Sequence, residues 1–443
     1  MNHQEAKDLL SKLLPQDQLS LIKVEVFRLS WEGKGYNIIS DETGYDHDYV
    51  RKAGSQLWKE LSDKLDVSVT KRNFRGLLED QLASQKNESA KSLEYPGGIM
   101  VFSSPLYIER TDEEQQCYSE IERPGAMIRI KGPRKMGKSS LMLRVLDHAD
   151  SEGYKTVSVD FQKADRSILS DLDRLLRWLC YQVATQLDLS TDVSAEINEH
   201  WNELLGSKLS CTNFLQDQIL AKLDQPLVLV INELNLIFDH QEVSQDFLPL
   251  LRSWFEEAKH QPDMSKLRQV LIYSTEVYVQ LDLNLSPFNV GLPIELKPFN
   301  AEQLESLANA YGFNWKKENT AASPINYLLL ALGGHPYLSQ LALYKLATLP
   351  GLIESPSQAL REVLADAVQQ GGVFEDFLQR MLSDLNSSDA LKAAFEQVFD
   401  GETDQVERSL SYQLQQMGLV SIADNELVLS SELVATYLSD HIS

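Results

Sequence analysis

Apolar positions change their period part-way along this chain, and the change divides it. From Asp17 to Leu29 they recur at helical spacing. A second, shorter helical stretch ends near Gly44, and a longer one runs from Asp46 to Leu61. A short helix, a glycine turn and a longer helix predict a helix-turn-helix-like all-α unit. Beyond Phe102 strand and helix patterns alternate. Ala126–Lys131, Lys155–Phe161, Leu227–Ile231 and Arg268–Ser274 read as strands; Ser140–Ala149 and a long stretch through Leu187 read as helices. Such alternation predicts an α/β domain with a mostly parallel sheet covered on both faces.

After Pro298 the pattern turns helical again, over Ala301–Tyr311, Ser323–Leu332, Phe374–Leu385, Ala390–Phe399 and Glu407–Gln416. Two short strand-like runs follow, Leu419–Ile422 and Glu426–Leu429, an order that resembles a winged helix. The predicted organisation is a helical domain over 1–83, a polar linker over 84–101, a sheet domain over 102–298, a helical lid over 299–350 and a winged-helix-like segment over 351–443.

The run Gly132-Pro-Arg-Lys-Met-Gly-Lys-Ser139 lies between a predicted strand and a predicted helix. It meets the phosphate-loop spacing G-x-x-x-x-G-K-[ST] in the context that motif requires. Glycines let the backbone wrap a phosphate, and amide hydrogens at a helix start face the anion. This points to Gly132, Pro133, Arg134, Lys135, Met136, Gly137, Lys138, Ser139 and Ser140 as the nucleotide-binding loop. Lys138 would reach the terminal phosphates and Ser139 would offer its hydroxyl to Mg²⁺.

Phosphate-loop hydrolysis also needs carboxylates at the end of a neighbouring strand. The suitable run is Leu227-Val-Leu-Val-Ile-Asn-Glu233, which ends in Asn232-Glu233 where Asp-Glu is expected. An asparagine oxygen accepts a hydrogen bond from metal-bound water but carries no charge, and charge-assisted bonds are about twice as strong as neutral ones. Glu233 remains as the base that polarises water. The expectation is nucleotide binding with slow turnover. Ser274 and Thr275 end another strand, where a hydroxyl serves either the γ-phosphate and the attacking water or a turn.

Composition narrows the partners. A net charge of −24 over 443 residues argues against a surface that coats nucleic acid or anionic membrane throughout. One stretch departs from this: Arg51, Lys52, Lys59, Lys64, Lys71, Arg72 and Arg75 stand against Glu60, Asp63 and Asp66. DNA contact and docking of a partner protein both fit it, and the flanking acidic residues favour the protein. The cysteines Cys117, Cys180 and Cys211 have neither zinc nor disulfide spacing and read as buried apolar residues of a reducing cytoplasm. No apolar run approaches the roughly eighteen residues of a membrane span, and the polar start lacks a secretory signal pattern. The expected setting is cytoplasmic, without a membrane partner.

These parts together resemble the AAA-like ATPase domain of many cyanobacterial proteins, a relative of the STAND signalling NTPases within the AAA+ superfamily. The resemblance is carried by Ser104-Pro-Leu-Tyr-Ile-Glu-Arg110, the loop at 131–142, Asp171-Leu-Asp-Arg-Leu-Leu-Arg-Trp178, Ser274-Thr-Glu-Val-Tyr278, Ser286-Pro-Phe-Asn-Val-Gly-Leu-Pro293 and Gly333-Gly-His-Pro-Tyr337. Upstream, Tyr36, Gly44-Tyr45, Tyr49-Val50, Gly54-Ser-Gln-Leu-Trp58 and Asn73-Phe74 are similar to a helical domain fused to such ATPases in cyanobacterial signalling proteins. The resemblance implies ATP or ADP with Mg²⁺ as cofactors. It implies Tyr107–Arg110 on the adenine side and Pro336, from the lid, against the base. It also implies an acidic residue where Asn232 and Asn235 stand, and a nucleotide-dependent switch that engages a protein or a second copy of itself. A DNA-binding regulator using both helical ends is the alternative. Arg252 and Arg268 are candidates for a cation acting across an oligomer, with surface salt bridges as their other reading.

Overall fold

The computed structural model describes residues 20–65, 69–71, 73–75, 94–101, 104–275, 287–315, 323–349, 355–423 and 426–442. The expected linker residues 84–93, the stretch 276–286, and Asp66 and Arg72 of the basic stretch lie outside them. The chain forms two compact units, residues 1–95 with 344–361, and residues 96–343 with 362–443.

In the first unit, α1 (Leu21–Trp31), α2 (Tyr36–Thr43) and α3 (His47–Leu65) pack Val26, Phe27, Leu29, Ile39, Val50, Leu57 and Leu61 into a core. Gly44, at φ +69°, closes α2 with its amide on the Ser40 carbonyl. Gly54 is required for a different reason. A Cβ there would lie 2.6 Å from the Tyr36 hydroxyl, which accepts the Trp58 indole N–H at 2.8 Å. Arg51, Lys52, Lys59 and Lys64 are exposed along α3, while Glu60 is paired with Lys23 at 2.7 Å.

The second unit is organised by a five-stranded sheet of β1 (Met127–Gly132), β2 (Lys155–Asp160), β3 (Leu227–Asn232), β4 (Leu267–Ser274) and β5 (Leu292–Glu295). All pairings are parallel, in the order β2-β3-β4-β1-β5. Every residue of β3 and β4 is buried, because helices cover both faces. Leu227, Leu229 and Ile231 face a core built with α6 (Leu172–Gln186) and α7 (Gln241–Glu257); Val228 and Val230 face the opposite core, with α4 (Thr111–Ile121) and α5 (Lys138–Ser151). One register thus serves two cores.

Arg268 does not lie on the surface as the sequence reading allowed. It is buried in β4, where its guanidinium donates to the carbonyls of Ile121, Ser265 and Lys266, and burial lowers its pKa. That environment removes it from any role across an oligomer. Arg252 donates to the Asn289 side chain at 2.5 Å.

Beyond the sheet come α8 (Ala301–Ala310), α9 (Pro324–Leu332) and α10 (Pro336–Ala347). The C-terminal part has α11 (Pro356–Ala367), α12 (Glu375–Leu385), α13 (Asp389–Phe399) and α14 (Arg408–Gln416). An antiparallel hairpin, β6 (Val420–Ala423) and β7 (Glu426–Leu429), then leads to α15 (Glu432–His441). Among the described residues, no helix is long and apolar enough to cross a membrane.

Candidate nucleotide site

β1 ends at Gly132 and α5 begins at Lys138, so five residues turn the chain between them. Gly137 takes φ +98° immediately before the helix, a left-handed geometry that glycine alone adopts without penalty, and Lys135 is held at φ +61°. The turn brings the Lys138 ammonium back over its own loop, where it donates to the carbonyls of Gly132 at 2.9 Å and Pro133 at 2.8 Å. This cation is 6% exposed. The geometry suits an anion held from the same side.

A cavity of about 800 Å³ opens over this loop. Arg134, Lys135, Met136, Gly137, Lys138, Ser139 and Ser140 line it, together with Asn232, Glu233, Ser274, Arg110 and Pro336. Gly132 and Pro133 do not line it; they contribute the carbonyls that hold Lys138. The sheet order explains the convergence. β4 lies between β1 and β3, and Ser274 is the register partner of Gly132, so the ends of all three strands meet at one edge.

Asn232 is 6% exposed, and its Oδ1 has no hydrogen-bond partner among the described residues. A buried carbonyl oxygen without a donor costs about 1–3 kcal/mol, so this acceptor fits water held on a metal ion. With Lys138 and the Ser139 hydroxyl at the same cavity, the residues fit a Mg²⁺-nucleotide. Next along the chain, Glu233 adopts φ +56°, a strained position for a residue with a Cβ. Asn235 ties this corner together: its Oδ1 accepts the Ser274 amide at 2.8 Å, and its Nδ2 donates to Glu233 at 3.4 Å. Thr275 is turned elsewhere. Its hydroxyl donates to the Gln416 carbonyl at 2.6 Å, at the end of α14, and it does not line the cavity.

Tyr107, Ile108 and Arg110 add a further part of the wall beside the loop. Arg110, 5% exposed, donates to the carbonyls of Met136 at 3.2 Å and Lys297 at 2.7 Å, and lies over the Phe299 ring. Burial lowers its pKa. Glu114 accepts both the Arg110 amide and the Tyr107 hydroxyl; burial and that bond raise the phenol pKa. Tyr107, Ile108 and Pro336 thus face the cavity on a fixed wall.

His335, beside Pro336, packs edge-on against Phe377 of α12. Its ring is enclosed although part of the residue stays accessible. Burial, reinforced by the nearby Lys138 charge and opposed by a hydrogen bond with the Arg134 backbone, moves its pKa down to about 4.

Several lining residues escaped the sequence reading. Gly97–Met100, at the end of the stretch expected to be linker, line the cavity; the Gly97 carbonyl accepts from Lys135, and the Met100 amide donates to Ser140. α12 contributes Asp376, Phe377, Arg380, Met381 and Asp384, and Arg134 pairs with Asp384 at 3.3 Å. Asp160 and Gln162, at the end of β2, complete the rim. Only the sheet order could have revealed those two.

Residues 95–440 match the family described as AAA-like domain. The chain belongs to that family. Residues 1–81 match the family described as vWA-MoxR associated protein N-terminal HTH. An uncharacterized WD repeat-containing protein of Synechocystis sp. is 22% identical over 278 residues, which are 62% of this AAA-like chain and 23% of that protein. The match therefore spans about a quarter of that relative's length. Among solved structures, a Walker-type ATPase of Pyrococcus abyssi is 15% identical, covering 75% of this chain and 96% of that one, with a TM-score of 0.46. The ORC2 protein of Aeropyrum pernix, in ADPNP–ADP complexes, is 14% identical, covering 81% and 98%, with a TM-score of 0.45.

Proposed function

We propose that this AAA-like chain is an ATP- and ADP-binding switch of the STAND signalling kind, with slow hydrolysis, whose N-terminal helical domain engages a protein partner. The observation that carries the reading is the convergence of three regions on one cavity. The loop at 134–140, the start of the proposed lid at Pro336, and α12 of the proposed winged-helix segment all line it. Contacts beside the cavity reinforce this: Arg134 with Asp384, Thr275 with Gln416, and Pro133 against Gly418, where a Cβ would sit 3.1 Å from the proline ring. A ligand seated there would touch all three of these regions. It shifts the equilibrium only through different affinity for the closed and open arrangements.

In this reading Lys138 and the loop amides hold the phosphates, Ser139 and Asn232 hold the Mg²⁺ shell, and Arg110 and Pro336 flank the base. The bound metal supplies charge neutralisation at the terminal phosphates. Glu233 orients and polarises the attacking water, with Ser274 beside it. Asn232 brings no charge, so turnover is slow while binding survives. Thr275 acts through Gln416 as a structural contact.

Light scattering on apo, ADP and ATP-analogue forms, with nucleotide analysis of the purified protein, tests this directly. A nucleotide-dependent change in size or shape is expected. Identical behaviour in all three forms, with no nucleotide retained, overturns it. The N-terminal match and the exposed Arg51, Lys52 and Lys59 of α3 favour a second reading, a DNA-binding regulator under nucleotide control. That reading predicts DNA retention at physiological salt with a steep salt dependence.

A further inference from the structure

The sequence places a neutral residue where the metal-side carboxylate belongs, and the sheet places a carboxylate directly beside it. Asp160 closes β2 and is the register partner of Asn232 in the parallel β2–β3 ladder. Neighbouring strands lie about 4.8 Å apart, and register partners project to the same face. Asp160, Asn232 and Glu233 all line the same cavity. Asp160 is half-buried; its Oδ1 accepts the Gln162 amide at 2.9 Å, which fixes the side chain at the start of a short helical turn. A carboxylate has a second oxygen and about four acceptor positions, so this bond does not exhaust it. The buried Asn232 Oδ1, without a hydrogen-bond partner among the described residues, is an independent sign that a donor-bearing ligand belongs at this spot.

We propose that Asp160 supplies the negative charge to the Mg²⁺ shell that Asn232 does not, the two residues acting as a split acidic site across adjacent strands. The inference rests on the nucleotide reading above. Mg²⁺ at nucleotide sites keeps several waters and takes one or two carboxylates besides the phosphates. A charge reaching it from β2 through such a water helps to hold the ion for binding, while the neutral Asn232 on β3 still leaves turnover slow. Asn232 provides the neutral acceptor, Asp160 the charge, and Glu233 remains for the attacking water.

The test is ADP affinity, measured by calorimetry on the nucleotide-stripped full chain, in Mg²⁺ and in EDTA. Asp160→Asn preserves the acceptor for Gln162 and removes only the charge. It is expected to weaken ADP binding about tenfold in Mg²⁺, the loss of one charge-assisted contact, and to leave binding in EDTA unchanged. Adding Asn232→Asp to that variant is expected to restore the Mg²⁺-dependent affinity, which a merely structural role would not do. Equal losses with and without Mg²⁺, no loss at all, or no rescue would each overturn the inference while leaving the nucleotide reading intact. If the wild-type chain binds ADP in neither buffer, the nucleotide reading fails, and this inference with it.

Discussion

The two sides of the cavity are built to different standards of completion. On the loop side the cationic groups are held. Lys138 has two carbonyls, Arg110 two more, and Arg134 a carboxylate. On the strand side Asn232 carries a buried acceptor with no partner among the described residues, and Glu233 is strained, its side chain held by a 3.4 Å contact with Asn235. In the proposed reading, binding an anion depends mainly on the first side and turning it over mainly on the second. The asymmetry is what a nucleotide-held switch needs, since a site complete on both sides would consume the ligand that holds it.

The largest expected effect breaks the loop side. Lys138→Ala should lower ATP affinity by about 100-fold or more, roughly 3 kcal/mol, because it removes a desolvated cation from the phosphates. Calorimetry on stripped protein measures it. An unchanged affinity would place the ligand elsewhere.

The second prediction concerns pH and the same side. His335 has its folded pKa lowered to about 4 from 6.5. Between those values the unfolded chain binds the extra proton and the folded chain does not, so stability falls as pH drops through this window. The loss attributable to this residue should reach up to about 2 kcal/mol at pH 5. Thermal melts of wild type and His335→Gln at pH 7.5 and 5 read it; the variant should lose less stability on acidification. Equal losses would mean that the ring titrates normally.

The strand side is sharpened by Asn232→Asp, which puts a charge on β3 itself in addition to the one across the ladder at Asp160, and should raise ATP turnover about tenfold, near 1.4 kcal/mol of barrier. A steady-state assay at saturating Mg²⁺ checks it. The smallest effect is expected at Thr275→Val. Losing the hydroxyl bond to Gln416 should cost about 1 kcal/mol of stability with little change in ATP affinity. A large affinity loss would return Thr275 to the chemistry.

Legibility in the sequence followed burial. β3 was readable because a strand covered on both faces is a nearly continuous apolar run, β1 was readable from its alternation, and the loop between β1 and α5 was readable because its spacing is rigid. β5 was not: it is a four-residue edge strand containing Pro293, tolerable only at an edge. Asp160 and α12 were invisible at the site because their approach depends on strand order and on packing far along the chain. Arg268 misled because its carbonyl partners are the end of α4, at Ile121, and the turn at Ser265 and Lys266 just before β4, and the first of these is brought near only by the fold. Cys180 and Cys211 lie with sulfurs 3.5 Å apart as buried free thiols, a proximity that their sequence separation conceals.

The central claim is that the loop at 132–140 holds a nucleotide whose retention does not depend on rapid chemistry. Titration of radiolabelled ATP into the stripped chain, followed by timed separation of bound ATP and ADP, tests it most directly. Stoichiometric uptake is expected, with the label still largely ATP after many minutes. No uptake, or complete conversion within the first seconds, would contradict it.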